Sequence, residues 1–553
     1  MLRMLRSETV KSLYNKNRDT AFWIVFLTAM VLKYFYFGFQ YFPVMDDHNM
    51  YGLFSLMSPG EMLSISSFHT TRPAAVLLDL FVITPFWGNL QWILLLMIIL
   101  HFTSCFLIFR CFEKLDLAYG KLAVLLFGLF PLATDASYWI AASSRLVTGL
   151  FFAVLSFYML ILYIEKRESK TPRYGWYLVM FALFNLVSLG FYEQIIVFSF
   201  AGACFILVLS YRRLGNKLTM GIPVINLALI AGYYKYFENA GNMASRGQLV
   251  DEKIGEHTQK VFEEIYDLMT LTSARMFKRG IENGLNVLWE NRSYFFLILL
   301  LVVSAALGFF FSREVRQMSV KRSLFSLVVG ILLIWIPCAP FFLLKVIWIS
   351  NRNVFLSFIG LGMMADAVIS LIEALRQKLR LKWKFQWLIG ALGGLFVFGM
   401  LLGNIAEIYD YKRVSKIDTE IMENVARLAD KTNEDGVTQV LAFNTKRLYI
   451  TPNLEHFVNC TAADWTFTGA AQSILKRRTG VSFVPVADKK SFWFDLEVHG
   501  NANFIGFKDE MQIIKLSLEE RGSDEYALID EKGEIFGLME PKGNKQYVFV
   551  KAE

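Results

Sequence analysis

The chain has 553 residues, of which 55% are hydrophobic and only 19% are charged. This composition excludes a purely soluble enzyme and a disordered protein, and it favours a helical protein that crosses a membrane several times. The net charge of +8 falls in short Lys and Arg clusters between apolar runs, which argues against nucleic acid as a partner. The five cysteines include no CxxC pair, so neither a disulfide framework nor a metal knuckle is predicted.

Apolar runs long enough to cross about 30 Å of hydrocarbon occur about eleven times. We expect spans near 22–39, 91–110, 121–136, 145–164, 174–190, 192–211, 218–237, 293–311, 323–344, 353–375 and 385–408. The first run has no small-residue cleavage site, so it is interpreted as a retained span rather than a signal peptide. The short stretch 74–86 contains Asp79 and Pro85 and is predicted as an interfacial or re-entrant helix.

The distribution of Lys and Arg between alternate loops predicts the orientation. These residues are roughly three times as frequent per position in one set of loops, which includes the N-terminus, as in the opposite set. The N-terminus is therefore predicted in the cytoplasm, and the loops 40–73 and 238–292 on the outer side. An odd number of spans then places the C-terminal segment outside the cytoplasm.

Composition divides the chain into a membrane domain, 1–408, and an extracytoplasmic domain, 409–553. The second part is of ordinary mixed composition and is predicted as a small α/β or α+β domain. Its predicted elements are an amphipathic helix at 414–428, strands at 437–443, 481–486, 512–516 and 547–550, and a hairpin turn at 530–533. In the outer loop 238–292, the stretch 261–276 has helical periodicity and is predicted to lie on the membrane surface.

Ionisable residues recur at the predicted outer ends of the spans. They are Asp46, Asp47, His48, Arg72, Arg145, Glu193, Lys345 and Arg352. Taken singly, each is typical of a solvated or snorkelling side chain. Two adjacent carboxylates repel each other, however, and such a pair suits general-base catalysis, although adjacent acids also cap helices.

The histidines allow fewer conclusions. His101, inside the second span, is predicted to be a hydrogen-bonded structural residue. His48 could ligate a metal ion together with the acidic pair, but no further ligand has suitable spacing, so no metal site is predicted.

Five sequence motifs follow one another in a defined order. They are ValMetAspAspHisAsn at 44–49, ThrThrArgProAla at 70–74 before the span with His101, the junction 130–146 with its acid, Trp and Arg, PheTyrGluGln at 191–194, and SerAsnArgAsnValPhe at 350–355. In this order they resemble the GT-C superfamily of polytopic glycosyltransferases, and over 20–410 the protein O-mannosyltransferases with tetratricopeptide repeats. Tyr192 and Asn353 replace a lysine and a tyrosine of that pattern. The tetratricopeptide repeats and the Trp-Trp-Asp-Tyr-Gly signature of oligosaccharyltransferases are absent.

The resemblance implies a GT-C fold and an inverting transfer of sugar from a polyprenyl-phosphate carrier. The acceptor would be a hydroxyl of an envelope glycopolymer or lipid-linked glycan, at the outer face of a bacterial plasma membrane and in contact with its lipid. No cofactor is expected, with a divalent cation as the alternative. The implied site comprises catalytic Asp46 and Asp47, phosphate-binding Arg145, Arg352, Arg72 and Lys345, and substrate-binding His48, His101, Tyr192 and Glu193.

Two other classes of function are consistent with the same outer charges. A transporter or flippase of lipid-linked saccharides would use them only to bind a headgroup, but transporters favour paired Gly- or Pro-broken helices and midplane charges, which are not conspicuous here. A noncatalytic envelope-assembly factor would instead bind its partners through the C-terminal domain.

Overall fold

The structure is a computed structural model. It describes residues 18–65, 72–117, 120–211, 216–239, 250, 254–312, 319–345, 349–379, 385–429, 439–445, 459–476, 481–486, 494–495, 502–508, 512–522, 525–543 and 546–551. Thr70 and Thr71 of the second motif and most of 238–253 lie outside these ranges. The chain forms two compact units. The first comprises Met1–Gln40, Ser67–Leu78 and Gln91–Ile408, and the second comprises Tyr41–Ser66, Asp79–Leu90 and Tyr409–Glu553.

Most of the described residues are helical. The α-helices are α1 (18–32), α2 (Pro59–Ile65), α3 (Pro73–Leu78), α4 (Leu90–Lys114), α5 (Lys121–Leu129), α6 (Thr134–Ser137), α7 (Ile140–Glu168), α8 (Gly175–Leu189), α9 (Glu193–Leu209), α10 (Asn216–Asn239), α11 (Ile254–Asp267), α12 (Ser273–Glu290), α13 (Tyr294–Ser312), α14 (Val320–Trp335), α15 (Ser357–Lys378), α16 (Phe385–Ala429) and α17 (Asp464–Leu475).

Within the described part of the chain, six helical segments are long and apolar enough to cross a membrane. They are Pro73–Lys114, Ile140–Glu168, Tyr294–Ser312, Val320–Phe342, Ser357–Lys378 and Trp387–Val425. The predicted spans 174–190, 192–211 and 218–237 correspond to shorter apolar helices, Gly175–Leu189, Glu193–Leu209 and Met220–Tyr233. The chain therefore has the helices of a membrane protein, and the number eleven stays a prediction.

Prolines interrupt two of the predicted spans. The run 121–136 is not one helix, because α5 ends before Pro131 and a short 3-10 turn leads into α6. The run 323–344 ends in a 3-10 segment, Ile336–Phe342, that contains Pro337 and Pro340. A proline nitrogen has no hydrogen to donate to the preceding turn, so the α-helical hydrogen-bond pattern breaks at these positions.

The stretch 74–86 is helical, as predicted, whereas the predicted amphipathic helix 414–428 is part of a longer helix. Between α3 and α4 the chain stays helical, passing through a π segment, Asp79–Ile83, and a 3-10 segment, Thr84–Asn89. Inside this stretch the Thr84 hydroxyl donates to the Asp79 carbonyl at 2.8 Å. The predicted helix 414–428 is not separate, because α16 continues without a break from the last apolar span. By contrast, the predicted helix at 261–276 is confirmed by α11 and α12 with a π segment between them.

The second unit contains the predicted sheet. Its described strands are β1 (Gln439–Phe443), β2 (Ser482–Val486), β3 (Phe494–Asp495), β4 (Asn503–Phe507), β5 (Ile513–Gly522), β6 (Glu525–Asp530), β7 (Ile535–Gly543) and β8 (Gln546–Lys551), in the spatial order β2-β1-β4-β5-β6-β7-β8-β3. β1 pairs in parallel with β2 and β4, and the other pairs are antiparallel. Helix α17 connects β1 to β2, as a parallel crossover requires. The sheet and the hairpin β6–β7 confirm that the C-terminal part forms a domain built on a sheet, as the prediction of an α/β or α+β domain requires.

Apolar side chains hold this sheet together. Phe443, Phe504 and Phe549 form its centre, and Phe443 is in ring contact with each of the other two. At the tip of the β6–β7 hairpin, the Asp530 carboxylate accepts the backbone N–H groups of Lys532 and Glu534 at 2.9 Å each. This turn chemistry is the local reason why 530–533 reverses the chain.

Candidate functional site

Arg72 and Glu193 form a bidentate ion pair in the first unit. Arg72 Nε and Nη2 donate to the two carboxylate oxygens of Glu193 at 3.0 and 2.8 Å, and the guanidinium carbon lies 4.5 Å from the centre of the Tyr192 ring. The Ala74 N–H also donates to the Gly190 carbonyl at 3.0 Å. These contacts hold together two motifs that are far apart in the sequence.

The charge on Arg72 is already balanced inside the protein. Burial opposes that charge, but the Glu193 carboxylate and Tyr192 outweigh it and hold the pKa of Arg72 above its ordinary value. A guanidinium whose charge is already neutralised by two parallel bonds to a carboxylate attracts a phosphate less strongly. The pair is therefore better suited to holding the motifs in place than to binding an anion.

Gln194 connects the PheTyrGluGln motif to the late motif 350–355. Its Nε2 donates to the carbonyls of Asn353 and Pro337 at 2.7 and 3.1 Å, and its side chain is buried. Asn353 Nδ2 in turn donates to the Tyr192 hydroxyl at 3.3 Å. Asn353 Oδ1 accepts the backbone N–H and the hydroxyl of Ser350 and thereby closes a capping box.

Arg352 is held over an aromatic ring and has an unsatisfied donor. Its guanidinium carbon lies 5.2 Å from the centre of the Trp139 ring. Arg352 Nε is buried, and no atom of the described residues accepts a hydrogen bond from it. A buried donor without a partner costs about 1–3 kcal/mol, so this N–H is well placed for an anionic ligand. Helix α6 packs against the 3-10 segment Asn351–Val354, which brings the motif 130–146 to this group as well.

Arg145 adds a second cation to the same unit. Its side chain is 8% exposed, and Nη1 donates to the Ala141 carbonyl at 2.7 Å and to the Ser144 hydroxyl at 2.9 Å. The positive charge of Arg145 opposes that of Arg72 and acts to lower the pKa of Arg72. A buried guanidinium favours an anion such as a phosphate as its partner.

His101 and Lys345 are the two remaining predicted site residues of the first unit. The His101 ring meets Phe127 and Phe355 edge-on, with centroid distances of 4.9 and 5.4 Å. Neither ring nitrogen has a hydrogen-bond partner among the described residues, so the expectation of a hydrogen-bonded His101 is wrong. The reason is that both neighbours present aromatic edges and faces rather than acceptor oxygens. Lys345 lies exposed in the bend after Ile336–Phe342.

The acidic pair lies on a tight turn of the second unit. The Asp47 N–H donates to the Val44 carbonyl at 3.0 Å, and the Asp47 carboxylate accepts the Val44 N–H at 3.2 Å and the Tyr41 hydroxyl at 2.5 Å. Asp47 is fully buried, whereas Asp46 is partly exposed. Met45 has a φ of 40°, in the left-handed region that strains residues other than glycine. The turn thus buries one carboxylate as a structural element and presents the other.

Helix α17 packs against the segment that follows the pair. A Cβ on Gly469 would lie 2.6 Å from the Asn49 Cα, so the two backbones are in direct contact. At the start of the helix, Trp465 Nε1 donates to Asp46 Oδ1 at 3.2 Å. Asp46 and Trp465 are 419 positions apart in the sequence, and both belong to the second unit.

His48 is buried among groups of the same unit. Its Nδ1 lies 3.2 Å from the Ser473 hydroxyl, its ring meets Trp87 edge-on, and its Nε2 has no partner among the described residues. Burial lowers the pKa of His48 to about 4, which the Pro43 carbonyl opposes only in part. The imidazole is therefore neutral at physiological pH.

This lowered pKa predicts an acid-sensitive fold. Below about pH 6.5 His48 is protonated in the unfolded chain but stays neutral in the folded chain. The free energy of unfolding should therefore fall as the pH drops from about 6.5 to about 4. The loss should amount to about 3 kcal/mol and should level off below pH 4. Melting temperatures of the wild type and of His48→Gln, measured from pH 4 to 8, test this. The wild type should lose more than the variant, and equal slopes would contradict the assignment.

Within the described residues, no group of three or more His, Cys, Asp or Glu side chains is arranged to hold one metal ion. Comparisons of this chain with known protein families, curated proteins and solved structures find no match.

Gln194 contacts the late motif and Trp465 contacts Asp46, but the sequence-based prediction gives neither of them a role. Gln194 stands inside a quoted motif, and a polar residue in an apolar run could have drawn attention to it. Trp465 has no comparable feature in the sequence. Only the folding of α17 onto the acidic segment places it beside Asp46.

Proposed function

We propose that the chain is an inverting glycosyltransferase that moves a sugar from a polyprenyl-phosphate carrier to an acceptor hydroxyl at the outer face of a bacterial plasma membrane. The observation that carries this proposal is Asp46, a partly exposed carboxylate on a strained turn whose neighbour Asp47 is fully buried. A general base needs an accessible carboxylate in a fixed position, and this turn supplies one.

In the proposed reaction, Asp46 accepts the proton of the acceptor hydroxyl. The hydroxyl oxygen forms a bond to the anomeric carbon while the bond between that carbon and the phosphate oxygen breaks. Polyprenyl phosphate leaves with the electron pair, and attack from the opposite face inverts the anomeric configuration. Asp47 keeps the turn in shape through Tyr41 and Val44 rather than touching the reacting atoms.

Negative charge accumulates on the departing phosphate. We assign its stabilisation to Arg145 and Arg352, because Arg72 is already paired with Glu193. Charge-assisted hydrogen bonds from preorganised guanidinium groups can supply this stabilisation without a metal ion. Lys345 lies exposed and is a weaker candidate, and a divalent cation stays the alternative.

The test is a turnover assay with the full-length protein in lipid nanodiscs. Synthetic polyprenyl-phosphate hexose is supplied as donor, and released polyprenyl phosphate is measured with and without membrane glycan extract. Release should require the protein and should increase with the extract. If the donor binds but stays intact, the chain is a binding or transport protein, and the enzyme assignment fails.

A further inference from the structure

Trp465 is an exposed aromatic side chain in a defined position. Its side chain is 52% exposed, so a large part of the apolar indole surface is accessible to a ligand. The orientation of the indole is restrained by a hydrogen bond, because Nε1 donates to Asp46 Oδ1 at 3.2 Å.

The helix that carries Trp465 is fixed against the acidic segment at two further points. Gly469 lies against the backbone of Asn49, so closely that a side chain there would collide with it. One turn later, the Ser473 hydroxyl lies 3.2 Å from His48 Nδ1. The distance between the indole and Asp46 is therefore set by the packing of the second unit and does not depend on one exposed hydrogen bond.

We propose that Trp465 is the platform on which the acceptor saccharide stacks, with one of its hydroxyls directed to Asp46. This inference rests on the proposed function and names the class of acceptor. A pyranose ring has a face of C–H groups and a rim of hydroxyls. The C–H face suits the negative face of the indole, and the rim suits a carboxylate acceptor at the edge of that ring.

The alternative role for an exposed tryptophan in a membrane protein is anchoring at the lipid interface. Interfacial tryptophans direct their N–H towards the lipid headgroups. Here the N–H is used by Asp46, and the carboxylate beside the ring would repel anionic headgroups. These contacts favour an uncharged saccharide over lipid.

The experiment is saturation-transfer NMR on the full-length protein in nanodiscs, with methyl hexopyranosides of the gluco, galacto and manno series as probes. Saturation should reach the C–H protons of at least one probe. Trp465→Ala should abolish the transfer, and Trp465→Phe, which keeps a ring without the N–H, should retain about a third to a half of it. Trp289→Ala, which removes another exposed tryptophan, is the matched control and should leave the transfer unchanged.

Three results would overturn the platform. The first is that the wild-type protein transfers saturation to none of the probes. The second is that Trp465→Ala transfers as much saturation as the wild type. The third is that Trp465→Ala lowers the unfolding temperature only when the nanodisc lipid is present. Melting curves in nanodiscs and in detergent provide the last measurement. The turnover assay with the lipid-linked donor separates this inference from the proposed function. If the protein turns over the donor but binds no probe, only the role of Trp465 is wrong. If it binds a probe but does not turn over the donor, the enzyme assignment is wrong.

Discussion

Asp46→Asn is expected to lower sugar transfer by at least about a hundredfold while leaving the melting temperature nearly unchanged. A general base contributes about 10²–10⁴-fold, and an amide cannot accept the proton. The fold should tolerate the change, because Asp46 is partly exposed and an amide oxygen can still accept the Trp465 N–H. Turnover per folded molecule, with synthetic polyprenyl-phosphate hexose as donor, is the measurement.

Asp47→Asn is the matched control on the same turn. It weakens the bonds from the Tyr41 hydroxyl and the Val44 N–H to a fully buried carboxylate, so it should lower the melting temperature. Turnover in the folded fraction should fall less than in Asp46→Asn. Full activity of Asp46→Asn with loss of activity in folded Asp47→Asn would reverse the two roles. If both variants were fully active, the carboxylate mechanism would fail.

The second large effect is expected for Arg145 and Arg352. Replacing either by alanine should lower turnover about ten- to a hundredfold, because losing one charge-assisted contact costs about 1.5–3 kcal/mol. Lysine should restore activity only in part, since it lacks the planar fork. For Arg352 the structure adds a specific reason, because its buried Nε has no partner among the described residues.

Arg110→Ala is the control for removing a positive charge. Arg110 is partly exposed and pairs across one helical turn with the exposed Glu113, so its removal should change neither turnover nor melting temperature appreciably. If the two arginines merely anchored helix ends to lipid headgroups, their variants would melt earlier and keep wild-type kinetics per folded molecule. Loss of wild-type turnover on addition of a chelator would instead assign the phosphate to a metal ion.

Much of the fold follows from local properties of the sequence. Long apolar runs such as 293–311 and 353–375 predict helices that the structure contains, because an apolar run of about twenty residues favours a helix long enough to cross the hydrocarbon layer. The hairpin at 530–533 is equally local, since Asp530 and Gly533 have the side chain and the backbone freedom that the turn needs. The helix breaks near Pro131 and Pro337 are also local, because the prolines cause them. They are not predicted, because each proline lies inside a continuous apolar run.

The groups that carry the proposed chemistry depend on tertiary structure. The sequence by itself determined the membrane class, the apolar helices, the C-terminal sheet and the candidate residues Asp46, Arg145 and Arg352. Only folding decided that Arg72 is neutralised by Glu193, that Asp47 is buried while Asp46 is presented, and that Trp465 stands beside Asp46. The physical reason is that composition and periodicity report on neighbours along the chain, whereas these contacts join residues that the packing of whole elements brings together.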